Sequence, residues 1–347
     1  MTELFPETLK AQVMSRQVRY RDFVHGPLYT RLKSVVGLVA VLLIAIIFSP
    51  HSARGGLIFL EPGNITDILR QVSEIGIISL GMTFVILTGG IDLSVGTVLA
   101  LSSSVVAALL SRVSLNLSTS FAITIAILAA VVGGGLVGVI NGVLTARWRI
   151  QPFIVTLATM IGVRGLARWI TSNTNIDIGF GTDLAALFAG ALSTKTVVVG
   201  SYVVLSIALG ALLSKTIFGR HVRAVGDNEK AAQYAGLPIA KTKVIAYTMT
   251  GLLAGYAGVL HAAQNHQGNP NSGMAYELEA IAAVVIGGTS LMGGRGSISG
   301  TVVGTMIMGV LTNILRLNNV DNNLEMIAKA GIILGAVWLQ QAGKEPA

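Results

Sequence analysis

The residues of this sequence that could take part in chemistry sit among glycines rather than in any nucleophile and base arrangement. Two stretches stand out. Leu87-Thr88-Gly89-Gly90-Ile91-Asp92-Leu93-Ser94-Val95-Gly96 carries a carboxylate and a hydroxyl, and Ile286-Gly287-Gly288-Thr289-Ser290-Leu291-Met292-Gly293-Gly294-Arg295-Gly296-Ser297 carries hydroxyls and a cation. Each ends one apolar run and opens the next, so the pair reads as a diverged internal repeat. Unwound backbone in lipid must be satisfied by protein or water, and paired breaks in corresponding positions point to a transport path. On this reading Gly89, Gly90, Asp92, Ser94, Gly287, Gly288, Thr289, Ser290, Gly293 and Gly294 line the path. The plainer alternative gives the glycines to close helix packing and tight turns, and Asp92 to the N-cap of the next helix. Asn141, Arg164 and Asn313 lie inside apolar runs, where a polar or charged group needs a partner or a wet cavity. Gln264 and Asn265 stand at the end of another.

Other chemistries lack their residues. No Gly-x-x-x-x-Gly-Lys-Ser/Thr loop occurs, so ATP is not bound by that route. His261 and His266 are five apart, which does not present a metal pair on one helix face; no metal is expected, and the histidines are read as interfacial. Ser297 and Ser299 form no Gly-x-Ser-x-Gly elbow. Cysteine is absent, which excludes disulfides and thiolate metal sites. The chain is expected to bind no cofactor of its own and to be no enzyme.

The elements that position these residues are dictated by composition. The chain is 52% apolar and 12% charged, against roughly 25% charged in soluble domains, so lipid must be its solvent. Apolar runs fall at 34–49, 68–88, 94–111, 121–145, 152–170, 196–213, 244–262, 277–292, 298–315 and 324–341, lengths suited to a core roughly 30 Å thick. The fold expected is an all-α integral membrane protein of about ten transmembrane helices, some interrupted, spanning 34–341. The tail 1–33 has no apolar h-region and is not read as a cleavable signal. The net charge of +8 does not suggest nucleic acid, because the cations cluster at the ends of spans. Sixteen of the 24 Lys and Arg fall on the N-terminal side, four on the other and four within or beside spans. Cations favour the cytoplasmic side. Both termini, 1–33 and 342–347, are therefore expected in the cytoplasm. The interval from Thr171 to Lys195 is expected to hold a short interfacial helix.

The interval 214–243 is too polar for lipid. Asp227 or Asn228 can N-cap a helix there, Glu229 suits its positive end, and Gly236 followed by Pro238 stops it. A helix of about two turns is marginal alone. It must pack on neighbouring spans or on a cytoplasmic partner.

The stretches Thr88 to Gly96, Ala224-Val225-Gly226-Asp227-Asn228-Glu229-Lys230-Ala231-Ala232, and Tyr276 to Ser290 closely resemble the membrane permease subunit of bacterial ABC importers for simple sugars, the group that includes ribose, xylose and galactofuranose permeases. The resemblance runs from about Ile65 to Leu339. It implies a pore formed with a second permease copy or a paralogue, two ATPase subunits holding ATP and magnesium, and an extracytoplasmic binding protein that delivers a monosaccharide. It also implies that 214–243 is the coupling loop docked on the ATPase, carrying Arg220, Arg223, Asp227, Asn228, Glu229, Ala231, Ala232, Tyr234, Gly236 and Pro238, with Lys230 as a departure inside the Glu-Ala-Ala motif. An ion-driven transporter would instead need an acidic or histidine relay within the spans. A permease for branched-chain amino acids would change the substrate and keep the mechanism.

Overall fold

The computed structural model of the chain describes residues 27–52, 55–112, 118–179 and 183–342. The expected tail up to residue 26 and the C-terminal residues from 343 lie outside the described residues. The structure is helical, in the order α1 (Pro27–Ile47), α2 (Pro62–Leu87), α3 (Val95–Arg112), α4 (Thr119–Ala146), α5 (Pro152–Thr171), α6 (Asp183–Leu192), α7 (Lys195–Lys215), α8 (Ile217–Asp227), α9 (Glu229–Tyr234), α10 (Ile239–Asn265), α11 (Tyr276–Ile286), α12 (Ile298–Leu317) and α13 (Asn322–Ala342). A two-residue antiparallel ribbon pairs β1 (Ile176–Asp177) with β2 (Gln267–Gly268).

Six helices, α2, α4, α5, α7, α10 and α12, are long and apolar enough to cross a membrane, and Val35–Ile47 and Val95–Ser111 form shorter apolar helices. Their outer faces require lipid. α4 exposes Phe121, Leu128, Val132, Leu136 and Ile140, and α5 exposes Phe153, Ile154, Ile161 and Trp169. An apolar face of that width has no stable home in water.

α2 is the central strut. It is opened by Pro62, whose missing N–H and fixed φ suit a first turn, and from Val72 onward it is buried on most sides. It packs against α7, α10, α11 and α12. The tightest helix pair is α4 with α10. Gly134, Gly138 and Gly142 of α4 repeat every four residues along α10, the first two against Gly251 and the last against Val244, and a Cβ on Gly138 would overlap the Tyr247 carbonyl. Small residues at this spacing let helix backbones touch in lipid, where no hydrophobic effect drives them together.

Two intervals differ from the sequence-based expectation. The span expected at 277–292 ends as a helix at Ile286. At 11 residues α11 is about 16 Å long, half the core of a bilayer. The interval 214–243 holds two helices, α8 as well as the short α9. α6 lies where a short helix was expected between Thr171 and Lys195.

Candidate functional site

The two glycine-bearing segments are built as the same helix end. In α2 the Gly90 N–H donates to the Val85 carbonyl at 3.0 Å and the Gly89 N–H to Ile86 at 2.9 Å. In α11 the Thr289 N–H donates to Val284 at 3.1 Å and the Gly288 N–H to Val285 at 2.9 Å. Gly89 and Gly288 hold φ of +77° and +89°, the left-handed conformation that closes a helix and that glycine adopts without strain. Gly89 therefore corresponds to Gly288, one residue off a simple alignment of the two Gly-Gly pairs. Thr88 corresponds to Gly287.

The two ends meet, with the base of the α8–α9 hairpin between them. The Gly294 N–H donates to the Leu87 carbonyl at 3.0 Å. Gly226, near the end of α8, lies against both: a Cβ there would overlap the Leu87 carbonyl and stand 2.5 Å from the Gly294 nitrogen. A Cβ on Gly293 would come within 2.8 Å of the Gly226 carbonyl and 3.1 Å of the Gly89 nitrogen, and one on Gly294 within 2.9 Å of the Asp227 Cα. Three backbones thus touch without a side chain between them. Sequence reasoning paired the two breaks with each other and did not place Gly226 in the contact.

Asp92 is buried and forms the head of a polar chain. Its Oδ1 accepts from the Ser94 N–H at 2.9 Å and the Ser94 hydroxyl at 2.6 Å. Ser94 Oγ accepts from Asn141 Nδ2 at 2.9 Å, and Asn141 Oδ1 accepts from the Thr159 hydroxyl at 2.7 Å. Tyr247 and Thr156 each donate a hydroxyl to the Ile91 carbonyl at 3.3 Å. The chain ties the turn after α2 to α4, α5 and α10. Asp92 lies two residues before the cap position of α3, so it closes an Asx turn rather than capping the helix itself. Thr159, Thr156 and Tyr247 were not singled out in the sequence; hydroxyls at helical spacing are too common to be a signal.

In the hairpin, Asn228 caps α9: its Oδ1 accepts from the Ala231 N–H at 2.9 Å. Asp227, the other candidate cap, is the last residue of α8. Thr216 caps α8 by accepting from the Gly219 N–H at 3.2 Å. Gly236 ends the hairpin at φ +74°, and Pro238 precedes α10. Lys243 pairs with Glu229 at 2.8 Å. Ala232 is buried beneath α9, whereas Tyr234 is 91% exposed. Arg220 is exposed, and Ala231 is turned outward.

Comparison with known proteins decides the family. The family model described as branched-chain amino acid transport system / permease component matches residues 64–337. The chain belongs to this permease family. A ribose import permease protein from Bacillus subtilis is 41% identical over 317 residues, 90% of this chain and 92% of that protein. An L-arabinose ABC transporter permease protein from Azospirillum brasilense is 40% identical over 283 residues, 82% of this chain and 81% of that one. A xylose transport system permease protein from Haemophilus influenzae is 33% identical, covering 91% and 99%. No solved structure matches the chain.

The permease holds a second polar cluster around the loop between α10 and α11. Arg164 Nη1 donates to the carbonyls of Pro270 and Ser272, both at 2.7 Å, and Arg168 donates to Asn271 Oδ1 at 2.9 and 3.2 Å. The two arginines stand one helical turn apart on α5, a spacing that could have flagged them as a clamp. His261 is largely buried against protein, with Nδ1 2.8 Å from Glu74 Oε1 and Nε2 2.8 Å from Ser272 Oγ. A Cβ on Gly96 would overlap the Gly273 carbonyl, so α3 packs directly on the same loop. Lys329 of α13 pairs with Glu279 at 2.6 Å and Glu325 at 2.7 Å. Asn313 exchanges hydrogen bonds with Asn64 at 2.8 and 3.2 Å, which joins α12 to the start of α2 and satisfies its amide away from the Asp92 chain. Gln264 keeps a buried Nε2 and Asn265 is exposed. Ser290 is folded into the loop after α11, its N–H donating to the Arg295 carbonyl at 2.8 Å.

Proposed function

We propose that the chain is the membrane-spanning permease subunit of an ABC importer and carries a monosaccharide inward through the bacterial cytoplasmic membrane. The observation that carries the mechanism is Gly226 lodged between the Leu87 carbonyl and the Gly294 N–H. Any displacement of the α8–α9 hairpin reaches both glycine-capped helix ends at once, through backbone and without compliant side chains. The substrate class rests on the relatives, whose names specify ribose, L-arabinose, xylose and D-allose.

In this reading the chain crosses the membrane ten times with both termini cytoplasmic, in line with the distribution of Lys and Arg. α9 docks in a cleft of an ATPase subunit that holds ATP and magnesium, and the exposed Tyr234 is its anchor. A second permease copy or a paralogue completes the pore, and an extracytoplasmic binding protein supplies the sugar. Closing the ATPase pair moves α9, and the two-state packing of the spans exchanges an outward for an inward opening. The path is lined by the turn 88–94, the loop 287–297 and the polar chain from Asp92 to Thr159. The permease supplies the lever and the path, and its partner the chemistry.

The test is the double variant Glu229→Lys with Ala232→Trp, which reverses the charge at the hairpin and lifts α9 from its seat. In proteoliposomes with the ATPase and binding protein, ATP hydrolysis should persist while sugar uptake falls at least tenfold. Wild-type uptake by a well-expressed double variant would sink the reading. A proton-driven mechanism has one supporting observation, the buried Glu74–His261–Ser272 chain. Uptake that requires ATP and survives an uncoupler discards it.

A further inference from the structure

A cleft of about 410 Å³ opens between α7, α8 and α12, within the usual range of ligand sites. Arg223 and the serines Ser206, Ser214, Ser297 and Ser299 line it together with apolar residues that include Ile207 and Val302; Ser214 Oγ donates to the Gly210 carbonyl, and the Ser297 and Ser299 hydroxyls bond each other. Among the described residues Arg223 makes no ion pair, and neither do its neighbours Lys215 and Arg220. Asp227 stands one turn from Arg223 on α8 without pairing with it, so the three cations outnumber the nearby carboxylate. From the cleft an exposed apolar stripe runs along α7 through Ile207, Val204 and Val203, which are 69%, 65% and 48% exposed. From Ser214 to Val203 α7 rises about 16 Å, close to the depth of one leaflet. The cleft shares Ser297 with the end of the loop 287–297, but no residue of α7, α8 or α12 joins the polar chain from Asp92 to Thr159 or holds the loop clamped by Arg164.

We infer that this cleft binds an anionic phospholipid, with its phosphate on Arg223 and an acyl chain along Ile207, Val204 and Val203. A cation at the head of an apolar track of one leaflet's length matches an amphipathic anion, and a neutral sugar would leave the guanidinium without a counter-charge. The site goes beyond the transport reading; only its assignment to the cytoplasmic leaflet rests on the orientation proposed there.

The test uses the purified permease in detergent and native mass spectrometry, with phosphatidylglycerol or phosphatidylcholine of matched chains added. Wild-type protein should retain phosphatidylglycerol in preference to phosphatidylcholine. Arg223→Gln should lower phosphatidylglycerol retention about fivefold, since one cation near an anionic lipid is worth about 1 kcal/mol. Gly210→Leu fills the apolar part of the cleft, where a Cβ would stand 3.8 Å from Ile298 in ordinary contact, and should lower retention of both lipids. Equal retention of the two lipids by wild type, or unchanged phosphatidylglycerol retention in Arg223→Gln, overturns the proposal. If Arg223→Gln fails to fold, the wild-type preference and the Gly210→Leu loss decide it alone. Neither readout depends on uptake or on membrane side, so failure here leaves the transport reading intact.

Discussion

α2 and α11 close with the same pattern of hydrogen bonds and the same left-handed glycine, yet α2 has 26 residues and α11 has 11. One is long enough to cross a bilayer and the other reaches about halfway. The shared cap ends a helix where backbones must touch, and the segment beyond the cap sets the difference. After Gly90 the chain turns at once into α3, and Asp92 fastens that turn to α4 and α5. After Gly288 it runs as a folded loop to Ser297, so Gly293 and Gly294 reach α2 and α8 before α12 begins. The start of α11 differs as well: the loop before it is held by Arg164, Arg168, His261 and the Gly96 backbone. Irregular backbone at membrane depth persists only where protein satisfies it. The half-helix is possible because α3, α5 and α10 supply contacts that lipid cannot.

The comparison can be broken at its one asymmetric position. Thr88 has room for its side chain, whereas its counterpart Gly287 is crossed by the first turn of α12, where the Gly300 carbonyl would overlap any Cβ. Gly287→Thr should therefore destabilise the fold by about 3 kcal/mol or more, seen as loss of monodisperse protein and of uptake. Asp92→Ala removes a buried acceptor from two donors and should reduce stability by about 2 kcal/mol, read as a lower thermal midpoint in nanodiscs, with α11 packing unaffected. The smallest effect belongs to Gly89→Ala. A Cβ at Gly89 meets nothing closer than the Met292 carbonyl at 4.0 Å, so only the left-handed strain remains, about 1 kcal/mol. Near-equal midpoints for Gly287→Thr and Gly89→Ala would show that the two ends are not distinguished by the backbone that crosses them.

Much of this is legible in the sequence. Low charge and ten apolar runs require a membrane protein, and the pairing of the two Gly-Gly segments comes from their matching neighbours. The Asn228 cap and the Gly236 stop of α9 are readable because capping is a contest among a few adjacent groups. α8 is not, because its charged face resembles a solvated loop, and the span 277–292 reads too long because Leu291 and Met292 extend the apolar run past the cap. Asn141 is recognisable as an oddity in an apolar run, but its partner Ser94 lies 47 residues away.

The sequence by itself determined the solvent, most of the helices, the cap and stop of α9 and the family, because these depend on composition, periodicity and local chemistry. Only the tertiary structure decided that Gly226 sits between Leu87 and Gly294, that His261 faces Glu74 across 187 residues, and that Asn313 pairs with Asn64 rather than with Asp92's chain. These are contacts between helices whose order in space is set by packing of glycine-lined faces. A residue type and its neighbours in the chain carry no information about which distant backbone will touch it.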